Sequence, residues 1–134
     1  MTPAEALAAL ALVFPSSSAS LRAEPVRLVV EAAERHHVPA PTLLAACWME
    51  SRLSLASRYA SLCGTRVAHV YVGNDALSAD IAGRSLARRY AECGRWDHAV
   101  VSWRWGAGCN ADDRTGYARH VASIARRIER RAAR

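Results

Sequence analysis

The stretch Leu43-Leu44-Ala45-Ala46-Cys47-Trp48-Met49-Glu50-Ser51 decides how this chain is read. Pro41 stands two residues ahead of it, where a fixed φ suits the first turn of a helix, and Leu43, Leu44, Cys47 and Trp48 then recur at helical spacing. Leu43, Cys47 and Glu50 fall at i, i+4 and i+7, so a carboxylate shares a face with side chains that point into the core. An acid in that place is unusual. Burial of an unpaired carboxylate favours its protonated form, and an acid that keeps its proton near neutral pH is what protonating a leaving-group oxygen requires. Two plainer readings compete: fraying of the helix end exposes Glu50, or an arginine such as Arg52 or Arg104 pairs with it.

The helical pattern continues on both sides. Upstream, Pro25 opens a segment whose Val26, Val29, Val30 and Ala33 keep the spacing as far as His36-His37. At the head of the chain, Thr2-Pro3-Ala4-Glu5 supplies a cap, a first-turn proline and a glutamate three residues past the cap, leading into Ala6 to Phe14. The same run, followed by Pro15-Ser16-Ser17-Ser18-Ala19-Ser20, also resembles a signal peptide, although its head carries Glu5 and no arginine. Residues 1–23 therefore read as a helix with a linker or as a signal peptide, and 24–134 as the domain. Downstream, residues 52–75 are mixed, with Gly64 and Gly73-Asn74 as turn signals and an alternating Val67 to Val72 that suits a short hairpin. Helices are expected over about 76–93, 96–104 and 115–132, the first two stopped by Gly94 and by Gly106-Ala107-Gly108. The last puts Tyr117, Val121, Ile124 and Ile128 on one stripe and Arg119, Arg126, Arg127, Arg130 and Arg131 mostly off it. The expected fold class is mainly α with at most a small β-hairpin.

Composition bounds what such a chain does. With 134 residues, 51% hydrophobic and 22% charged, it has enough material for one packed domain and no apolar run of membrane-spanning length. All 18 bases are arginine against 12 acids, a net charge of +6, and lysine and glutamine are absent. Abundant alanine with no lysine fits a GC-rich codon bias, which weakens inference from arginine alone. The charge favours an anionic partner, whether nucleic acid, membrane surface or acidic wall polymer. The cysteines match no C-x-x-C pattern. Cys47, inside the apolar helix, reads as a buried thiol, while Cys63, Cys93 and Cys109 each adjoin a glycine and are the better candidates for a bridge. The histidines suggest no metal site: His36-His37 end a helix, and Cys93 with His98 lacks a second half.

The stretch around Glu50 resembles the signature of the soluble lytic transglycosylase domain, a family of lysozyme-like fold, in which a helix of the form L-L-x-A-x-x-x-E-S carries the sole catalytic glutamate. Trp96 to Gly108, W-D-H-A-V-V-S-W-R-W-G-A-G, is similar to that family's second block, A-x-x-x-Y-N-A-G-x-G, which lines the saccharide groove. Asp113-Arg114-Thr115-Gly116-Tyr117 with Val121 is similar to the third, E-T-x-x-Y-V-x-x-V. The blocks stand in the family's order and cover roughly residues 26–130. There are departures. Where the family has G-L-M-Q, this chain has Cys63-Gly64-Thr65-Arg66; Trp103 and Arg104 replace Tyr and Asn; Asp113 replaces Glu.

The resemblance implies a lysozyme-like fold and a role for Glu50 as acid and then base. Glu50 would protonate the glycosidic oxygen between N-acetylmuramic acid and N-acetylglucosamine. It would then take a proton from the sugar's 6-hydroxyl, which attacks the anomeric carbon and leaves a 1,6-anhydro product. A single carboxylate suffices because the substrate supplies the nucleophile, unlike the paired carboxylates usual in glycosidases. The implied substrate contacts are Ser57, Tyr59, Trp103, Arg104, Asp113 and Tyr117. Trp103 and Trp105 offer broad faces to sugars or to the core; Arg104 suits a lactyl or peptide carboxylate, or else pairs with Glu50 or Asp113.

The leading expectation is a peptidoglycan-cleaving monomer acting on glycan strands, in the cell envelope or associated with a phage, with no cofactor, no metal and no membrane span. The alternatives are a hydrolytic muramidase of goose-type character, a wall-binding module that has lost activity, and a basic helical nucleic-acid binder prompted by Arg126 to Arg134.

Overall fold

Thr2 starts the first helix as its sequence requires. In α1 (Pro3–Val13), Thr2 Oγ1 accepts from the Glu5 N–H at 3.1 Å and the Glu5 carboxylate accepts from the Thr2 N–H at 3.3 Å, a complete capping box. The computed structural model describes residues 1–53, 61–64 and 74–133. A 3-10 turn over Pro15–Ser20 leads to α2 (Ala23–His36), α3 (Ala40–Ser51), α4 (Asp75–Cys93), α5 (Trp96–Trp105) and α6 (Tyr117–Ala132). The fold is mainly α, and the described residues contain no strand. The Val67 to Val72 hairpin expectation lies outside the described residues.

α3 is the centre. Pro41 and the whole run from Leu43 to Trp48 are buried, so the helix is apolar on every side until its last turn. α6 packs against α3 and α1, α2 lies between α1, α3 and α4, and α5 is held against α4 and α6. α6 shows why its ends differ in use: Tyr117, Val121, Ile124 and Ile128 are buried, while Arg126, Arg127, Arg130 and Arg131 are exposed. Between helices, Phe14 stacks on Trp48 with centroids 3.8 Å apart, tying the end of α1 to α3. His36 does more than end a helix, since its Nε2 lies 2.7 Å from the Asp80 carboxylate on α4, which also accepts from Arg35 at 2.9 Å. No helix of the described residues is long and apolar enough to cross a membrane.

Two disulfides, Cys47–Cys63 and Cys93–Cys109, each span 16 positions of sequence. Cys47 is thus not the free thiol its helical setting suggests. Burial and bridging are compatible here because Cys63, itself fully buried, is brought to a Cα separation of 4.1 Å from the α3 face. A loop of this length closed by a disulfide gains roughly 3 kcal/mol from the restricted unfolded chain.

Candidate active site

Glu50 sits in the last turn of α3, and the residues just after it shape its surroundings. Arg52 and Leu53 both take left-handed backbone conformations, φ 61° and 54°, so the chain turns sharply off the helix. Such residues cost about 1–2 kcal/mol each when they are not glycine. Full burial of Leu53 and a hydrogen bond from its N–H to Ser51 Oγ at 3.2 Å offset that strain. The Ser51 hydroxyl also donates to the Leu62 carbonyl at 2.5 Å, pulling the returning segment 61–64 onto the helix end. Ser78 of α4 accepts from the Cys63 N–H at 3.0 Å, and the disulfide to Cys47 completes the attachment.

These tethers place Gly64 directly against the carboxylate. A Cβ on Gly64 would lie 2.6 Å from Glu50 Oε2 and 2.7 Å from both Cγ and Cδ, well inside van der Waals contact, and φ is +59°. Two independent facts therefore require glycine: the left-handed backbone and the absence of room.

The other carboxylate oxygen has polar company. Tyr117, the first residue of α6 and only 6% exposed, donates its hydroxyl to Glu50 Oε1 at 2.9 Å; the Ala46 carbonyl is a more distant acceptor at 3.4 Å. Burial first, then the charge and hydrogen bond of Glu50, push the phenol well above the usual tyrosine range, so Tyr117 stays a donor. Arg104, in the last turn of α5, brings Nε to 3.8 Å from the same Oε1. That separation makes an ion pair but not a hydrogen bond, and the buried Nε accordingly has no hydrogen-bond partner among the described residues. Its guanidinium carbon lies 4.5 Å from the Trp105 ring centroid and 5.2 Å from that of Tyr117. The Glu50 side chain is 25% exposed, so solvent or a ligand reaches it from one side.

Glu50, Arg104 and Tyr117 thus come together, and the pairing of Glu50 with an arginine is present in the form of Arg104. Trp103 is half-buried against the core, whereas Trp105 is the tryptophan under Arg104, with Arg114 also 5.5 Å from its ring centre. The Trp105 indole N–H is buried with no hydrogen-bond partner among the described residues. Asp113 has a structural role that its sequence block did not announce. Its two carboxylate oxygens accept from the Ala118 N–H at 3.0 Å and the Arg119 N–H at 3.2 Å, capping α6. The reason lies at Gly116, which occupies the cap position and has no side chain to satisfy those donors. Ser57 and Tyr59 lie outside the described residues.

Sequence reading passed over the contact that Gly64 makes, the role of Ser51 as a clip and the seat that Trp105 gives Arg104. Each had a visible sign: a turn glycine, a serine directly after the acid, and a second tryptophan flanking Arg104. Compared with known proteins, the chain has no significant match to a family model, a curated protein or a solved structure.

The chemistry open to the cluster is set by its parts. A carboxyl group flanked by a neutral donor and a cation, in a site a quarter open, can give up a proton and be stabilised as the anion that remains. A phenol held protonated serves as a donor and not as a base. A guanidinium with several N–H groups can also receive an external carboxylate.

Proposed function

We propose that the protein is a peptidoglycan lytic transglycosylase in which Glu50 is the single catalytic acid and base. The observation that carries the reading is the convergence of Glu50, Arg104 and Tyr117, which come from three separate sequence blocks and meet at one carboxylate oxygen, Oε1.

In this reading the protonated Glu50 gives its proton to the glycosidic oxygen as the bond from the anomeric carbon breaks. The Tyr117 hydroxyl and the Arg104 guanidinium stabilise the carboxylate left behind. That carboxylate removes the proton of the muramyl 6-hydroxyl, whose oxygen closes on the anomeric carbon to form the 1,6-anhydro ring. No water is consumed, and Glu50 ends protonated for the next turn. Arg104, whose side chain is 40% exposed, keeps donors for the lactyl or peptide carboxylate of the substrate. The two disulfides support action in an oxidising compartment such as the cell envelope, where glycan strands are found.

The test is mass spectrometry of muropeptides released from purified peptidoglycan by the wild type and by Glu50→Gln. Anhydro-muropeptides from the wild type alone, with an unchanged melting temperature in the variant, are expected. Products heavier by one water would assign hydrolysis instead, and equal release by both proteins would remove Glu50 from the chemistry.

A further inference from the structure

α1 buries one face and leaves the other uncovered. Met1, Ala4, Ala8 and Leu12 are all exposed, and their spacing puts them on one stripe of the helix and its lead-in, with the exposed Glu5 at its edge. Leu12 is 58% exposed, more than the other large hydrophobic side chains open to solvent among the described residues. The one acid of the helix, Glu5, is engaged with Thr2 in the cap.

At its C-terminal end the stripe runs into cations. Leu12, Val13, Arg127, Arg130 and Arg131 line an open groove of about 240 Å³ between α1 and the far end of α6. Arg127 is fixed there: it donates to the Val13 carbonyl at 3.0 Å, with its guanidinium carbon 5.7 Å from the Phe14 ring centre. Arg130 and Arg131 are exposed, and no ion pair among the described residues engages either of them. An uncovered apolar stripe therefore ends between unneutralised guanidinium groups.

We propose that this face docks on a bilayer rich in anionic phospholipid, with the α1 stripe in the interface and Arg130 and Arg131 on headgroup phosphates. Charge complementarity admits any polyanion, and an anionic lipid surface adds an apolar layer for the stripe. The contact is peripheral, since no described helix spans a bilayer. It is also remote from Glu50: Tyr117 opens α6 and Arg130 stands near its other end, about 20 Å along the axis at about 1.5 Å per residue. Docking thus leaves the carboxylate accessible, and the surface is independent of whatever reaction Glu50 performs.

The experiment is co-sedimentation of the purified full chain with vesicles of phosphatidylcholine alone or mixed with phosphatidylglycerol, at low and high salt. Binding is expected to the anionic vesicles and to be at least about tenfold weaker on the neutral ones. The double variant Arg130→Gln with Arg131→Gln is expected to lose about 25-fold at low salt, about fivefold for each charge. Leu12→Ser is expected to lose several-fold at every salt concentration, because its contribution is apolar. All three side chains are exposed, so melting temperatures should hold. Equal binding to both vesicle types would overturn the proposal, as would wild-type binding by either variant. So would vesicles being ignored while polyphosphate or duplex DNA is bound equally by wild type and Leu12→Ser, which would make the groove a polyanion site.

Discussion

Alanine at Gly64 has a calculable effect because an internal control exists at Gly94. Both glycines are left-handed, φ +59° and +74°, but a Cβ at Gly94 meets nothing within 4 Å whereas one at Gly64 meets the Glu50 side chain at 2.6–2.7 Å. Gly94→Ala should therefore show the backbone penalty alone, about 1–2 kcal/mol. Gly64→Ala must in addition move the carboxylate by about 0.8 Å to restore ordinary contact at 3.4 Å, against the hold of Tyr117 and Arg104. Overpacking of this kind costs about 1–3 kcal/mol, giving about 2–5 kcal/mol in all. Urea unfolding of the four proteins in a cycle with Glu50→Ala isolates the contact, since that change deletes the three atoms nearest the new Cβ. In the Glu50→Ala background, Gly64→Ala should cost no more than Gly94→Ala does, a coupling of about 1–3 kcal/mol. Additivity within about 0.5 kcal/mol would refute the placement of Gly64 against Glu50. If Glu50 is catalytic, wall cleavage by Gly64→Ala should also fall about a hundredfold, the usual consequence of misplacing a reacting group by about 1 Å.

Two further outcomes rest on the same geometry. Tyr117 has its phenol raised in the folded protein, so folding retains a proton that the unfolded chain loses above pH 10; stability should fall as pH rises past 10, by up to about 1.4 kcal/mol per unit. Tyr117→Phe should flatten that part of the profile, measured by urea unfolding between pH 8 and pH 11, and an unchanged slope would show that the hydroxyl is not buried against Glu50. Asp113→Ala should lower stability by about 0.5–2 kcal/mol by uncapping α6, with the affinity for peptidoglycan strands unaltered in pull-down; lost affinity at unchanged melting temperature would restore Asp113 as a substrate contact.

Helices were legible because periodicity and punctuation agree. Thr2, Pro3 and Glu5 specify a capping box and form one, and Gly94 and Gly106 end α4 and α5 in left-handed conformations. The acid on the apolar face was equally readable, since its spacing from Leu43 and Cys47 depends on nothing beyond the helix. Its partners were legible in part: Arg104 was one of two arginines the sequence offered, and Tyr117 was one of the residues the resemblance brought to the site, but which of them meets Oε1 depends on how α5 and α6 pack beside α3. The bridge to Cys47 was hidden for a related reason. A cysteine on the core side of a helix has the same local signature whether its sulfur meets packed side chains or a second cysteine, and only the return of 61–64 decides between them.

That return explains why a disulfide belongs at this point of the fold. Cys47, Glu50 and Ser51 lie at i, i+3 and i+4, so the bridge and the Ser51 clip flank the carboxylate on the same side of α3. Between them the tethers fix Leu62 and Cys63 by a covalent bond and by hydrogen bonds from two different helices, through Ser51 and Ser78. Gly64, next along, then has no freedom to withdraw from Glu50. Hydrogen bonds alone, each worth about 1 kcal/mol net, would let a segment of a few residues open readily. The covalent bond removes that route, so the wall of the site against Oε2 holds.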